Sequence, residues 1–357
     1  MPDWTLTKRA KHILALLPLI LAAGCVAASA PGDSTARRSG PPIAIERQGS
    51  FLVGGKKFHT ETGNDGDVKS VQNPGSATNH QMYVQYQIPA HQRYKLPIIM
   101  VHGGGHTGAV YESTPDGREG WATYFLRRGF AVYVVDGVNR GRSGYDITDI
   151  SLVRQGAKPG RNNPLINRYS HERAWTQFRF GPKPGELNPN SQFPAEAFDQ
   201  YTAQLVPAWR DNAEIDRNIE GLVALLDRIG PAIVLTWSQS GIFGWRAALA
   251  RPNLVKAIIS CEPSMISPEG VSAGLKPTDL KALSSVPIVI QVGDYDPPRL
   301  KSLKSFAASI GSNVSVLSLP ELGIYGNSHL VMIEKNNLQV ADLFIQQLEK
   351  ILPGNVQ

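Results

Sequence analysis

The chain has 357 residues, of which 42% are apolar and 18% charged, with a formal net charge of +6. This is enough apolar sequence for one large domain with a full core, and it lacks the low hydrophobicity of a disordered chain. The basic residues form no long run and no His/Cys/carboxylate cluster has ligand spacing, so neither a nucleic-acid partner nor a metal is expected.

At the N-terminus, Lys8, Arg9 and Lys11 precede an apolar run at 13–21, followed by Ala22-Ala23-Gly24-Cys25. Residues 1–24 read as an export signal of the lipoprotein type, with a run too short for a comfortable membrane span. Cys25 is then the lipidation site and would anchor the protein to a membrane. Val26, rather than an aspartate, points to the outer membrane of a two-membrane cell. The alternatives are cleavage after Ala28, or after Ala30 (which Pro31 disfavours), giving a freely secreted or periplasmic protein. Residues 25–45, rich in Ala, Ser, Gly and Pro, read as a flexible tether ahead of a folded domain at 46–357. The other cysteine, Cys261, sits in an apolar run and reads as a buried small hydrophobe.

Antiparallel strands are expected at 51–53 and 82–88. A parallel set follows at 97–101, 131–135, 233–237, 256–260, 288–292 and 314–319. Helices are expected at 120–128, 211–229, 242–250, 299–310 and 339–352. This alternation gives the α/β class, a mostly parallel sheet flanked by helices, with its site at the C-terminal strand ends. Residues 145–211 break the pattern. The stretch lacks a clear period but carries Trp175, Phe178, Phe180 and Phe193, and reads as a cap or lid insertion lining the substrate pocket. Arg140, Arg142, Arg154, Arg161, Arg168, Arg173 and Arg179 could attract a carboxylate-bearing substrate, or be solvated or paired with nearby backbone.

Three motifs sit at strand ends. The first strand of the parallel set runs into His102-Gly103-Gly104-Gly105-His106-Thr107-Gly108, where backbone N–H groups of Gly104 and Gly105 can form one side of an oxyanion hole. His102 and His106 are four residues apart, but on a loop this spacing does not enforce a metal site. Thr236-Trp237-Ser238-Gln239-Ser240 reads as a strand–turn–helix elbow that lifts a nucleophilic serine above the sheet. Thr236 and Ser240 stand where glycines usually do, and Gln239 N–H would complete the oxyanion hole. His329 is the only histidine after Ser238 and lies between the last strand and the last helix, where a general base is needed. For the acid that orients it, spacing leaves Glu262 and Asp296 equally placed.

The segments 49–55, 102–108, Thr114-Pro115-Asp116-Gly117-Arg118-Glu119-Gly120-Trp121-Ala122 and Ser238-Gln239-Ser240-Gly241 resemble a divergent family of bacterial α/β-hydrolase esterases. The likeness runs from about residue 47 to the end and is patchy over 145–211. It implies the α/β-hydrolase fold and serine-dependent ester hydrolysis through an acyl-enzyme without a cofactor. It also implies a glutamate after the sixth strand as the acid, hence Ser238, Glu262 and His329. Trp237 departs from the family, where a histidine commonly precedes the serine; an aromatic there could reshape the pocket wall. Amidase, lactonase, C–C hydrolase or cofactor-free oxidase chemistry and a non-catalytic surface lipoprotein remain alternatives on such a scaffold. The expected partner is a small-molecule ester, and a homodimer is compatible with this composition.

Overall fold

A computed structural model describes residues 40–60, 75–154, 156–209, 212–264, 266 and 274–357. The expected export signal, Cys25 and most of the tether lie outside the described residues. Eight strands form one sheet: β1 Ile45–Thr60, β2 Gly75–Pro89, β3 Ile98–Val101, β4 Val132–Asp136, β5 Ala232–Trp237, β6 Val255–Cys261, β7 Ile288–Val292 and β8 Val314–Ser318. Their spatial order is β1-β2-β4-β3-β5-β6-β7-β8. β2 is antiparallel to both neighbours, and every other pairing is parallel.

The period-2 alternation of β-structure explains why the central strands read as continuous apolar runs. Ile98, Met100, Ile233 and Leu235 enter one core cluster, while Ile99, Val101, Val234 and Ile258 enter the other. The first is covered by helices α1 Trp121–Arg127 and α5 Asn337–Ile351. The second is covered by α2 Asn212–Ile229, α3 Gly241–Ala250 and α4 Pro297–Ile310. A strand covered on both faces has no polar side to show, so its length and flanking turns, not an alternation, mark it. No helix among the described residues is long and apolar enough to cross a membrane.

The insertion is more regular than its sequence pattern predicts. It holds helices Thr148–Arg154, His171–Gln177 and Phe198–Ala203, and a two-stranded ribbon pairing Ile166–Asn167 with Ala208–Trp209. Helices of two turns or fewer are too short to develop a legible 3.6-residue period, which is why the pattern fails here. Trp175, Phe178, Phe180, Phe193 and Tyr201 are buried in the same cluster that α1 and α5 cover. The insertion is thus part of the main core, and each of those rings contributes about 1.5–3 kcal/mol of burial.

Candidate active site

β5 ends at Trp237, and the chain turns through Ser238–Ser240 directly into α3. Ser238 takes φ +56°, a left-handed conformation that costs a non-glycine residue about 1–3 kcal/mol. The turn is held from inside: Ser240 Oγ accepts the Trp237 N–H (2.9 Å) and donates to Val101 O (2.8 Å). Ser264 N–H donates to Ser238 O at 3.0 Å. The threonine at the first small position is accommodated from the opposite side. A Cβ on Gly244, in α3, would lie 2.8 Å from Thr236 Cγ2, so the missing side chain has moved from strand to helix.

His329 Nε2 lies 2.8 Å from Ser238 Oγ. Its Nδ1 faces Glu262 Oε2 at 3.4 Å. Glu262 directly follows β6, is fully buried, and also holds a left-handed φ of +46°. Its Oε1 accepts Gly293 N–H at 2.6 Å, while Oε2 is approached by Arg179 Nη2 (2.7 Å) and Arg299 Nε (3.0 Å). Arg299 Nη2 also donates to Glu262 O at 2.6 Å, bracing the strained backbone. Burial would raise the Glu262 carboxyl, but the Arg179 charge, then His329 and Arg299, hold it well below the usual carboxylate range. Burial pulls His329 down to about 4. Glu262 opposes that shift, and the two guanidiniums offset the carboxylate's field. The imidazole is therefore neutral at pH 7, with Nε2 open to accept the serine proton.

Asp296, the rival acid on spacing, caps α4 by accepting Arg299 N–H at 3.1 Å, and it meets Arg179 Nη1 at 3.4 Å. Trp237 does not line the site cavity. It is fully buried, and its indole N–H donates to His329 O at 2.7 Å, so the aromatic secures the histidine's backbone instead of shaping the pocket wall.

The glycine loop is fixed through three successive carbonyls. Gly137 N–H donates to His102 Nε2 (2.8 Å), so Nδ1 carries the proton and donates to Gly103 O (2.8 Å). Arg140 Nη1 donates to the same oxygen at 3.0 Å. His106 Nδ1 donates to Gly104 O at 2.9 Å and its Nε2 receives Tyr201 O–H at 3.2 Å; Val206 N–H donates to Gly105 O at 2.9 Å. Because N–H and C=O oppose each other across a trans peptide, anchoring these oxygens aims the N–H groups of Gly104, Gly105 and His106 the other way. Burial lowers His102 to about 4 and His106 to about 3, so both stay neutral braces. A glycine is required at 105: φ is +72°, and a Cβ would lie 2.6 Å from the Tyr169 ring.

These groups border a cavity of about 360 Å³. Gly104, Gly105, Ser238, Gln239 and His329 lie on its strand-end side, and the insertion contributes Asn167, Tyr169, Gln177, Phe178, Ala208 and Trp209. Among the described residues no group of three or more His, Cys, Asp or Glu is placed to hold a metal. Cys261 is buried. Two of the insertion and loop arginines are held by side chains and not by solvent or backbone alone, and one of them, Arg140, also borders the cavity. Arg140 is buried against Glu214 and donates to Gln239 Oε1 at 2.9 Å, and Arg179 pairs with Glu262. No periodicity marks Arg179, Glu214 or Arg299 as site residues, and sequence reasoning missed those pairings.

No protein-family model matches the chain. It is 32% identical over 336 residues to the probable secreted lipase phiG of Fungal sp. (strain ATCC 74256), covering 77% of this chain and 88% of that protein. Among solved structures it is similar to a novel bacterial esterase determined at atomic resolution. That match has 37% identity and a TM-score of 0.79, and covers 87% of this chain and 98% of that one. With its mostly parallel eight-stranded sheet and these two relatives, the chain belongs to the α/β-hydrolase esterases and is a carboxylic-ester hydrolase.

Proposed function

We propose that the enzyme works through an acyl-enzyme, with Ser238 as nucleophile, His329 as general base and Glu262 as the acid that orients it. The observation that carries this reading is the 2.8 Å contact between His329 Nε2 and Ser238 Oγ, with Nδ1 turned toward a buried, ionised Glu262. Ser238 Oγ attacks the ester carbonyl carbon as His329 Nε2 takes its proton. The tetrahedral oxyanion is held by backbone N–H groups of Gly104, Gly105 and Gln239, each such donor being worth about 10²–10³ in rate. Collapse expels the alcohol, which leaves with the proton from His329. Water, deprotonated by the same imidazole, then attacks the acyl carbon, and the acid departs as Ser238 regains its proton. No cofactor enters these steps.

The insertion forms the outer wall of the cavity and, on this reading, sets acyl and alcohol preference. Export is supported by the basic and apolar leader and by the name of the secreted fungal relative. Acylation of Cys25 is the finer proposal, and the mass of the mature N-terminus tests it. For the triad, Ser238→Ala must abolish both ester turnover and fluorophosphonate labelling while the protein stays folded. Glu262→Gln must reduce kcat far more than Asp296→Asn, and the reverse order would hand the acid's role to Asp296.

A further inference from the structure

One dipeptide of the insertion touches both partners of the serine's relay. Phe178 O accepts His329 N–H at 3.1 Å, and the Phe178 ring lies stacked beside the imidazole with centroids 5.9 Å apart and planes 13° from parallel. The next residue, Arg179, places Nη2 2.7 Å from Glu262 Oε2, the same oxygen that faces His329 Nδ1. Arg179 adopts φ +61°, a conformation a non-glycine residue keeps only where its surroundings over-determine it. Those surroundings are present: its N–H donates to Thr176 O (3.1 Å), its carbonyl accepts the Asn188 amide (2.7 Å), and Nη1 reaches Asp296 (3.4 Å).

From this geometry we propose that Arg179 is a positioning residue for ester hydrolysis, delivered by the insertion, which makes the docked insertion part of the catalytic unit and not a detachable lid. The proposal rests on Glu262 and His329 acting as described above. A fully buried carboxylate is expensive without a compensating charge, and among the described residues Glu262 has one backbone donor, at Oε1, to share that burden. Arg179 and Arg299 supply the remainder. Arg299 comes from α4 and braces the Glu262 backbone, whereas Arg179 comes from outside the strand–helix framework. Its departure would leave Oε2 under-compensated and would release the Phe178 carbonyl that fixes the histidine.

Two effects follow, and a merely structural role would not couple them. Losing the Arg179 anchor should misplace the imidazole, and a displacement of about 1 Å can cost about 10²-fold in rate. Removing a cation beside the imidazole should raise its pKa, because Arg179 now helps hold His329 low.

The test compares wild type, R179Q and R179K in kcat, KM and the pH profile of kcat/KM on a soluble aryl ester, with thermal unfolding as the fold control. For R179Q, kcat is expected to fall about 10²-fold with KM nearly unchanged, and the acid limb to move up by about one pH unit. R179K keeps the charge without the guanidinium fork, so its acid limb should return to the wild-type position with kcat intermediate. Wild-type kcat and acid limb in R179Q would overturn the proposal, as would identical behaviour of the two variants. If R179Q fails to fold, R179K decides: a reduced kcat with an unmoved limb supports the proposal, and a kcat within about twofold of wild type overturns it. Glu262→Gln, run alongside, separates the two levels. Full activity in that variant sinks the triad, whereas a loss there with none at Arg179 sinks only this proposal.

Discussion

Glu334 gives the sharpest stability prediction. It is fully buried beneath the loop that ends in His329, its Oε1 receiving Ser328 N–H at 2.5 Å and its Oε2 the Asn327 amide at 2.6 Å. Burial raises its carboxyl from 4.5 to about 7, with the Glu262 charge adding to the rise and the Ser328 and Asn327 hydrogen bonds opposing it. A folded-state pKa above the unfolded one means that the native state binds more protons between those values. Its contribution to stability is therefore complete below about pH 4.5 and lost as pH climbs through about 7. At 1.36 kcal/mol per unit, the shift corresponds to about 3 kcal/mol across that window. Glu334→Gln removes the titration while keeping the side chain's size. Urea unfolding of wild type and variant at several pH values isolates the effect, because other titrating groups cancel in the difference. The stability of the variant minus that of wild type should increase by about 3 kcal/mol from pH 4.5 to 8. A difference that is flat with pH would refute the reasoning.

Activity should persist well into acid. With His329 lowered to about 4, kcat/KM on a non-titrating ester should reach half its plateau near that pH, and a midpoint near 6.5 would show that the imidazole is not held low. Gly105→Ala should cut kcat by about 10²–10³ by forcing the loop off its left-handed turn, and steady-state kinetics with unchanged far-UV dichroism checks it. Trp237→Phe leaves His329 O without its indole donor and should cost about 1–3 kcal/mol in urea unfolding; an unaltered midpoint would show that the contact is not needed.

The serine and the histidine are readable in one dimension because each sits where a local pattern ends. An apolar run stops at Ser238, and His329 stands alone between the last strand and the last helix. The carboxylate proposed to orient the histidine is not readable in that way: spacing leaves Glu262 and Asp296 level, and resemblance favours Glu262. In space Asp296 caps the helix that follows β7, while Glu262 Oε2 faces the imidazole. Trp237, which could have reshaped the pocket wall, turns its indole to His329 O instead; an aromatic next to a strand-end serine carries no sign in the sequence of which way its ring turns.

What the amino-acid order determined by itself is the layered α/β framework and the residues at its strand ends. Strands and helices are short-range objects written in hydrophobic runs, glycines and turn residues. Only the tertiary structure decided the electrostatics. Arg179, Arg299 and Glu262 are separated by 83 and 37 positions from the acid to each guanidinium, yet they share one carboxylate oxygen. The Arg140–Glu214 pair behind the glycine loop is likewise a meeting of distant segments. Charge pairing in a buried site depends on distance and burial, and folding brings together residues that no periodicity relates.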